Sequence, residues 1–206
     1  MLYNMYKGGD FMTKFNKAQY DILHCTLDLI HLNLDVNRPF SKEYADAFIY
    51  HDVAMFFAST DSSYSMTDTE EKRRNIVRLH DYILSEEMNI DEAIRMAVGE
   101  FEVVDAKIDG SATKRLNKAQ YRIFQGTLQT VRDNIPNNRN LAEALEDMFV
   151  VHDIAMYFAS TEGDGLVADT EEKRERNKKL YEYVFSEDMD IDEAIRIAIG
   201  DFEVIA

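Results

Sequence analysis

The chain is written twice. Shifted along itself by 101 residues, the segment from Asn16 to Asp105 aligns with Asn117 to Ala206 without a gap, and 43 of the 90 paired positions are identical. A repeat of this length specifies one domain-sized unit used twice. The best-matched blocks are His51-Asp52-Val-Ala54-Met55-Phe-Phe57-Ala58-Ser59-Thr60 with His152-Asp153-Ile-Ala155-Met156-Tyr-Phe158-Ala159-Ser160-Thr161, and Asp68 to Arg73 with Asp169 to Arg174. Ile90 to Arg95 recurs as Ile191 to Arg196. The expected organisation is an N-terminal extension over residues 1–11, a first helical repeat over 12–105, a linker over 106–115 and a second repeat over 116–206.

Within each copy, hydrophobic periodicity predicts helices. Leu23, Leu27, Ile30 and Leu34, matched by Phe124, Leu128, Val131 and Ile135, follow the 3.6-residue period and predict a first helix from about Lys17 to Leu34. A second, over about Lys42 to Ser59, is apolar nearly all round (Phe48, Ile49, Val53, Met55, Phe56, Phe57), as expected of a helix buried on most sides. The third is expected to start at an N-cap of Asp68 or Thr69, with Glu70 and Glu71 complementing the helix dipole. The fourth is expected to start near Asn89 and to line up Ile90, Ala93, Ile94, Ala97, Val98 and Phe101 on one face, with Gly99 and Gly200 serving close packing. Only 2 prolines and 8 glycines interrupt the chain, which favours helices over a turn-rich β architecture. The predicted fold class is therefore all-α, two tandem copies of a roughly four-helix domain packed as a pseudo-dimer.

No run of 18 apolar residues is present, so no membrane-spanning helix is expected. Cys25, the single cysteine, has no partner for an internal disulfide and is expected to be a small core residue of a cytoplasmic protein. The net charge of -16 opposes direct contact with a nucleic-acid backbone, which takes a Lys/Arg stripe. A protein partner with a basic surface fits that charge, with the chain itself a monomer or weak homodimer.

The repeated His51-Asp52 and His152-Asp153 are the one pair of dipeptides with the look of a metal or ligand site. Further ligands are wanting, since His24, His31 and His80 become Gln125, Arg132 and Tyr181 in the second copy. A core histidine bonded to a neighbouring helix is the expected role. No EF-hand loop, phosphate-binding glycine loop, nucleophile elbow or paired-cysteine motif is found, so neither a catalytic residue nor a cofactor or metal is expected.

What remains is acidic surface and out-of-place apolar residues. Glu86, Glu87, Asp91 and Glu92 in the first copy, and Glu187, Asp188, Asp192 and Glu193 in the second, form candidate partner-binding tracts. Phe40, Tyr44, Tyr64 and Met66, with Leu166 and Val167, are candidate apolar anchors in segments where the copies diverge. Lys7-Gly8-Gly9-Asp10 permits the codons AAA GGA GGT GAT, a Gram-positive ribosome-binding sequence, so translation is expected to start at Met12.

A compact, duplicated, acidic, cysteine-poor chain behind such a start resembles in general type the small phage-encoded host-takeover proteins of Gram-positive bacteria, which bind host machinery. The resemblance is one of organisation and not of motif. It implies a non-catalytic inhibitor or modulator in the bacterial cytoplasm, acting on RNA polymerase, its sigma factor or a defence nuclease, in one version by DNA mimicry. Two alternatives stand beside it: a ligand- or metal-binding protein or enzyme using the His-Asp pairs, and a self-associating structural protein.

Overall fold

The computed structural model describes residues 12–60, 69–104, 114–161 and 170–205. Tyr64, Met66, Leu166 and Val167, the extension 1–11 and most of the expected linker lie outside the described residues.

The first copy opens with strand β1 (Thr13–Asn16) and helix α1 (Lys17–Asn33). Asn16 ends the strand and caps the helix, its side chain accepting from the Gln19 amide while the Gln19 side chain accepts from the Asn16 amide, a reciprocal capping box. Helix α2 (Arg38–Ala47) starts at the N-cap Asn37, four residues earlier than the sequence predicts, with Pro39 in its first turn. It runs through a π-helical turn (Phe48–Val53) into α3 (Ala54–Thr60), making one rod from Arg38 to Thr60. Phe48, Val53, Met55, Phe56 and Phe57 on this rod are each at most 7% exposed, as its all-round apolar character predicts. Thr69 caps α4 (Glu70–Ile83) and Asn89 caps α5 (Ile90–Val98), each accepting from the third amide of its helix.

The copy closes with β2 (Phe101–Val104), which lies parallel to β1 with Thr13 opposite Phe101. Both strands depart from the sequence expectation, which put Phe101 on the face of the fourth helix. Gly99 causes the departure: at φ 88° and ψ -167° it occupies a region open essentially to glycine alone, so the chain leaves the helix there. The positive φ accounts for this glycine and for Gly200 at φ 87°, a conformational role that the expectation of close packing for both did not include. Phe15 of β1 then meets Phe101 edge-on at 5.4 Å and Phe56 at 4.6 Å, tying the two ends of the repeat to its central rod.

The second copy follows the same plan: β3 (Lys114–Asn117), α6 (Lys118–Asn134), α7 (Arg139–Met148), a π-helical turn (Phe149–Ile154), α8 (Ala155–Thr161), α9 (Glu171–Val184), α10 (Ile191–Ile199) and β4 (Phe202–Ile205), with β3 parallel to β4. The architecture is all-α, with two short strand pairs clamping the ends of the repeats. Among the described residues no helix is long and apolar enough to cross a membrane.

The two copies share one core. Helix α3 packs on α8, α1 on α8 and α3 on α6, and buried residues of both copies form a single apolar cluster. Contacts across the boundary are reciprocal: Asn16 Nδ2 donates to the Ala159 carbonyl and Asn117 Nδ2 to that of Ala58. Gln19 Nε2 donates to Ser160 Oγ at 3.0 Å, and Gln120 Nε2 to Ser59 Oγ at 3.1 Å. Residue i touching j while the copy of j touches the copy of i is the signature of a two-fold interface, here inside one chain. Cys25 is exposed, which corrects its expected place in the core. It lies off the buried stripe of α1, on the opposite side from Leu23, Leu27 and Ile30.

Candidate functional site

The two π-helical turns meet at the boundary between the copies, and each carries its His-Asp dipeptide to that point. A π turn holds an extra residue per turn and re-aims the side chains that follow it. Neighbours in sequence do not pair here. His51 Nδ1 lies 3.0 Å from Asp153 Oδ1, and His152 Nδ1 lies 2.9 Å from Asp52 Oδ1, so each histidine bonds the aspartate of the other copy.

Both carboxylates are fully buried, and each has a second donor. Thr26 Oγ1 lies 2.8 Å from Asp52 Oδ2, and Thr127 Oγ1 is 2.8 Å from Asp153 Oδ2. Each hydroxyl also sits 3.1 Å from the carbonyl four residues back in its helix; having one proton, it gives it to the closer, charged acceptor. An ionised carboxylate accepts only, so the proton of each imidazole must sit on Nδ1. Burial pushes the His51 imidazole down, but the charge of Asp153 and the hydrogen bond to it, with help from Asp52, outweigh that and hold it above its ordinary 6.5. His152 is likewise held above that value, burial and the charge of His51 opposing and Asp52 prevailing. The quartet is thus two crossed, buried histidine–aspartate pairs, each imidazole donating from Nδ1 to the carboxylate of the other copy.

This arrangement spends Nδ1 of both imidazoles and both oxygens of both carboxylates on contacts within the molecule. Among the described residues no group of three or more His, Cys, Asp or Glu side chains is arranged to hold a metal ion. Tyr44 packs edge-on to His152 at 5.8 Å and stacks on Phe40 at 4.2 Å, both rings half-buried. Of these two candidate anchors, Tyr44 lies against the quartet and Phe40 lies against Tyr44. Sequence reasoning missed Thr26 and Thr127, identical between the copies at a helical position facing the rod, and it missed Glu146. That side chain is 3% exposed, stands where the first copy has Ala45, and is pushed up to about 7 by burial and then by the charge of Asp147.

The candidate acidic residues divide into two sets. Asp91 accepts from Tyr20 Oη at 3.0 Å and Asp192 from Tyr121 Oη at 2.8 Å, tying α5 to α1 and α10 to α6. Glu92 lies 3.5 Å from Arg95, and Glu193 lies 3.3 Å from Arg196. Glu86 and Glu87, in the turn between α4 and α5, and Glu187 and Asp188, between α9 and α10, are exposed to solvent. No protein-family model, curated protein or solved structure matches the chain.

Proposed function

We propose that the chain is a non-catalytic acidic binding protein that occupies a basic surface of another protein and changes what that protein does. The observation that carries this reading is the split among its carboxylates. The buried pair, Asp52 and Asp153, is consumed in joining the copies, while both copies turn Glu86 and Glu87, or Glu187 and Asp188, to solvent in a chain of net charge -16. Such a surface raises the encounter rate with a basic partner and sets specificity by charge. The finer reading takes the partner to be a host protein that handles nucleic acid, RNA polymerase, its sigma factor or a defence nuclease, whose basic surface the carboxylates engage as phosphates would. The crossed His-Asp quartet supports a structural role for the dipeptides, whose Nδ1 and carboxylate oxygens are engaged between the copies.

The test is capture from a Gram-positive host on tagged residues 12–206, followed by binding of the purified partner to the chain and to E86Q/E87Q/E187Q/D188N. The expected result is a stoichiometric complex that weakens as salt rises from about 50 to about 300 mM and in the neutralised variant. Recovery of the bare chain, or a partner indifferent to salt and to the variant, overturns the reading.

A further inference from the structure

Helix α1 carries a surface that its copy α6 lacks. Cys25, Leu29, Leu32 and Val36 follow one another at spacings of four, three and four residues, which aligns them in one stripe along α1 and the turn after it. All four are exposed, Leu29 by 42%, Leu32 by 68% and Val36 by 83%. Single exposed apolar residues are ordinary, but four in coiled-coil register are not. At the matching places the second copy has Gly126, Thr130, Asp133 and Asn137, which are exposed too. The fold is thus built equally well without apolar side chains there, and packing does not explain the stripe.

Its flank bears a row of like charge. Asp21, Asp28 and Asp35 recur every seven residues along one side of the stripe, where the second copy has Arg122, Gln129 and Pro136. Asp28 is 3.8 Å from His24, Asp21 pairs with Lys17, and Asp28 and Asp35 are solvent-exposed. Resting on the reading of the chain as an acidic binding protein, we infer that this stripe is where it holds its partner, and that the partner presents a basic amphipathic helix. That helix lays its apolar face on Leu29, Leu32 and Val36 and sets Lys or Arg against the aspartate row. A second copy of the chain fits worse: antiparallel pairing brings the row against itself, and any pairing joins two molecules of net charge -16.

The experiment uses a synthetic three-heptad peptide with Leu at the two seam positions of each heptad and Lys at the flanking ones, titrated by fluorescence anisotropy. Expected are one peptide per chain, binding at least about tenfold weaker in L29T/L32D/V36N, and a shallower salt dependence in D28N/D35N. The triple variant installs the residues of the second copy, so it keeps a surface this fold tolerates, and its added carboxylate favours a basic peptide. A loss must therefore come from the apolar stripe; Leu32→Asp alone repeats the test at the site if the triple variant melts early. Unchanged binding in these variants, or equal binding of a peptide with Glu at the flanks, overturns the inference. So does a dimer in sedimentation that L29T/L32D/V36N abolishes, which would make a second copy the occupant. If E86Q/E87Q/E187Q/D188N loses the peptide while L29T/L32D/V36N keeps it, the stripe falls and the acidic-binder reading stands. If neither variant matters, both fall.

Discussion

Replacing Asp52 by Asn keeps the shape of the side chain and removes the charge that His152 faces. The 2.9 Å bond joins a fully buried carboxylate to an imidazole only 3% exposed, so water cannot take the place of the lost partner. Breaking a buried pair from one side costs about 3–5 kcal/mol, and the conserved shape and surviving Thr26 contact place Asp52→Asn near about 3. At roughly 2–4 °C per kcal/mol for a chain of this size, the melting temperature should fall by about 6–12 °C. Asp153→Asn should cost less, because its histidine, His51, is 15% exposed and can recover some hydration. The crossing itself is tested by double-mutant cycles: His152 should couple to Asp52 by about 1–3 kcal/mol, and more strongly than to its sequence neighbour Asp153. The sign with pH is fixed by the imidazoles, both held above 6.5 when folded. Their contribution is complete below about pH 6.5 and is lost as pH rises through the folded values, so the penalty of Asp52→Asn should be larger at pH 6 than at pH 9. Thermal melts by circular dichroism read all of this. A fall of less than about 2 °C at pH 6, or stronger coupling of His152 to Asp153 than to Asp52, refutes the crossed pairing.

Glu146 is held up at about 7, so its burial favours the fold fully below the ordinary carboxyl value of 4.5 and that contribution disappears as pH rises to about 7. Glu146→Gln should therefore raise stability at pH 8 by about 1–3 kcal/mol and change little at pH 4.5, as urea titrations at the two pH values will show. Gly99→Ala and Gly200→Ala put a Cβ on backbone near φ 88° and should each cost about 1–3 kcal/mol, lowering the urea midpoint without changing the slope. Asn16→Ala removes a helix cap and the bond to the Ala159 carbonyl together; the loss of about 1–3 kcal/mol should be matched by Asn117→Ala, and a near-zero effect in either would refute the cap assignment.

The helices were legible in the sequence because their signals are local. Thr69 and Asn89 sit one residue before runs of helical period, and each is the cap its position suggests. The strands were not legible, since a four-residue ladder takes its stability from a partner far along the chain, and Phe101 falls at a helical interval from Val98 and Ile94. The π turns were hidden for another reason: where every side of a helix is buried, hydrophobicity carries no phase, and one extra residue per turn leaves no trace. Of the quartet, the sequence shows two identical dipeptides within an apolar helix, which marks them as buried and bonded. It cannot show that each histidine reaches past its neighbour to the other copy, because that pairing belongs to the packing of the two rods.

The duplication also explains which residues the copies share. At a two-fold interface each side chain must suit the copy of its own surroundings, so a change in one repeat has to be answered in the other. Thr26, His51, Asp52, Asn16, Gln19 and Ser59 all bond across the boundary or hold a group that does, and each is identical in the second copy. Solvent imposes no such matching. On the outer side of α1 and α6 the copies part completely, Cys25, Leu29, Leu32 and Val36 against Gly126, Thr130, Asp133 and Asn137. A symmetric frame whose outer surfaces differ carries a single apolar stripe of this kind per molecule, which two equal copies would have doubled. Fusing the repeats into one chain is what allows that asymmetry, because a homodimer of a single repeat would carry the same outer face on both halves.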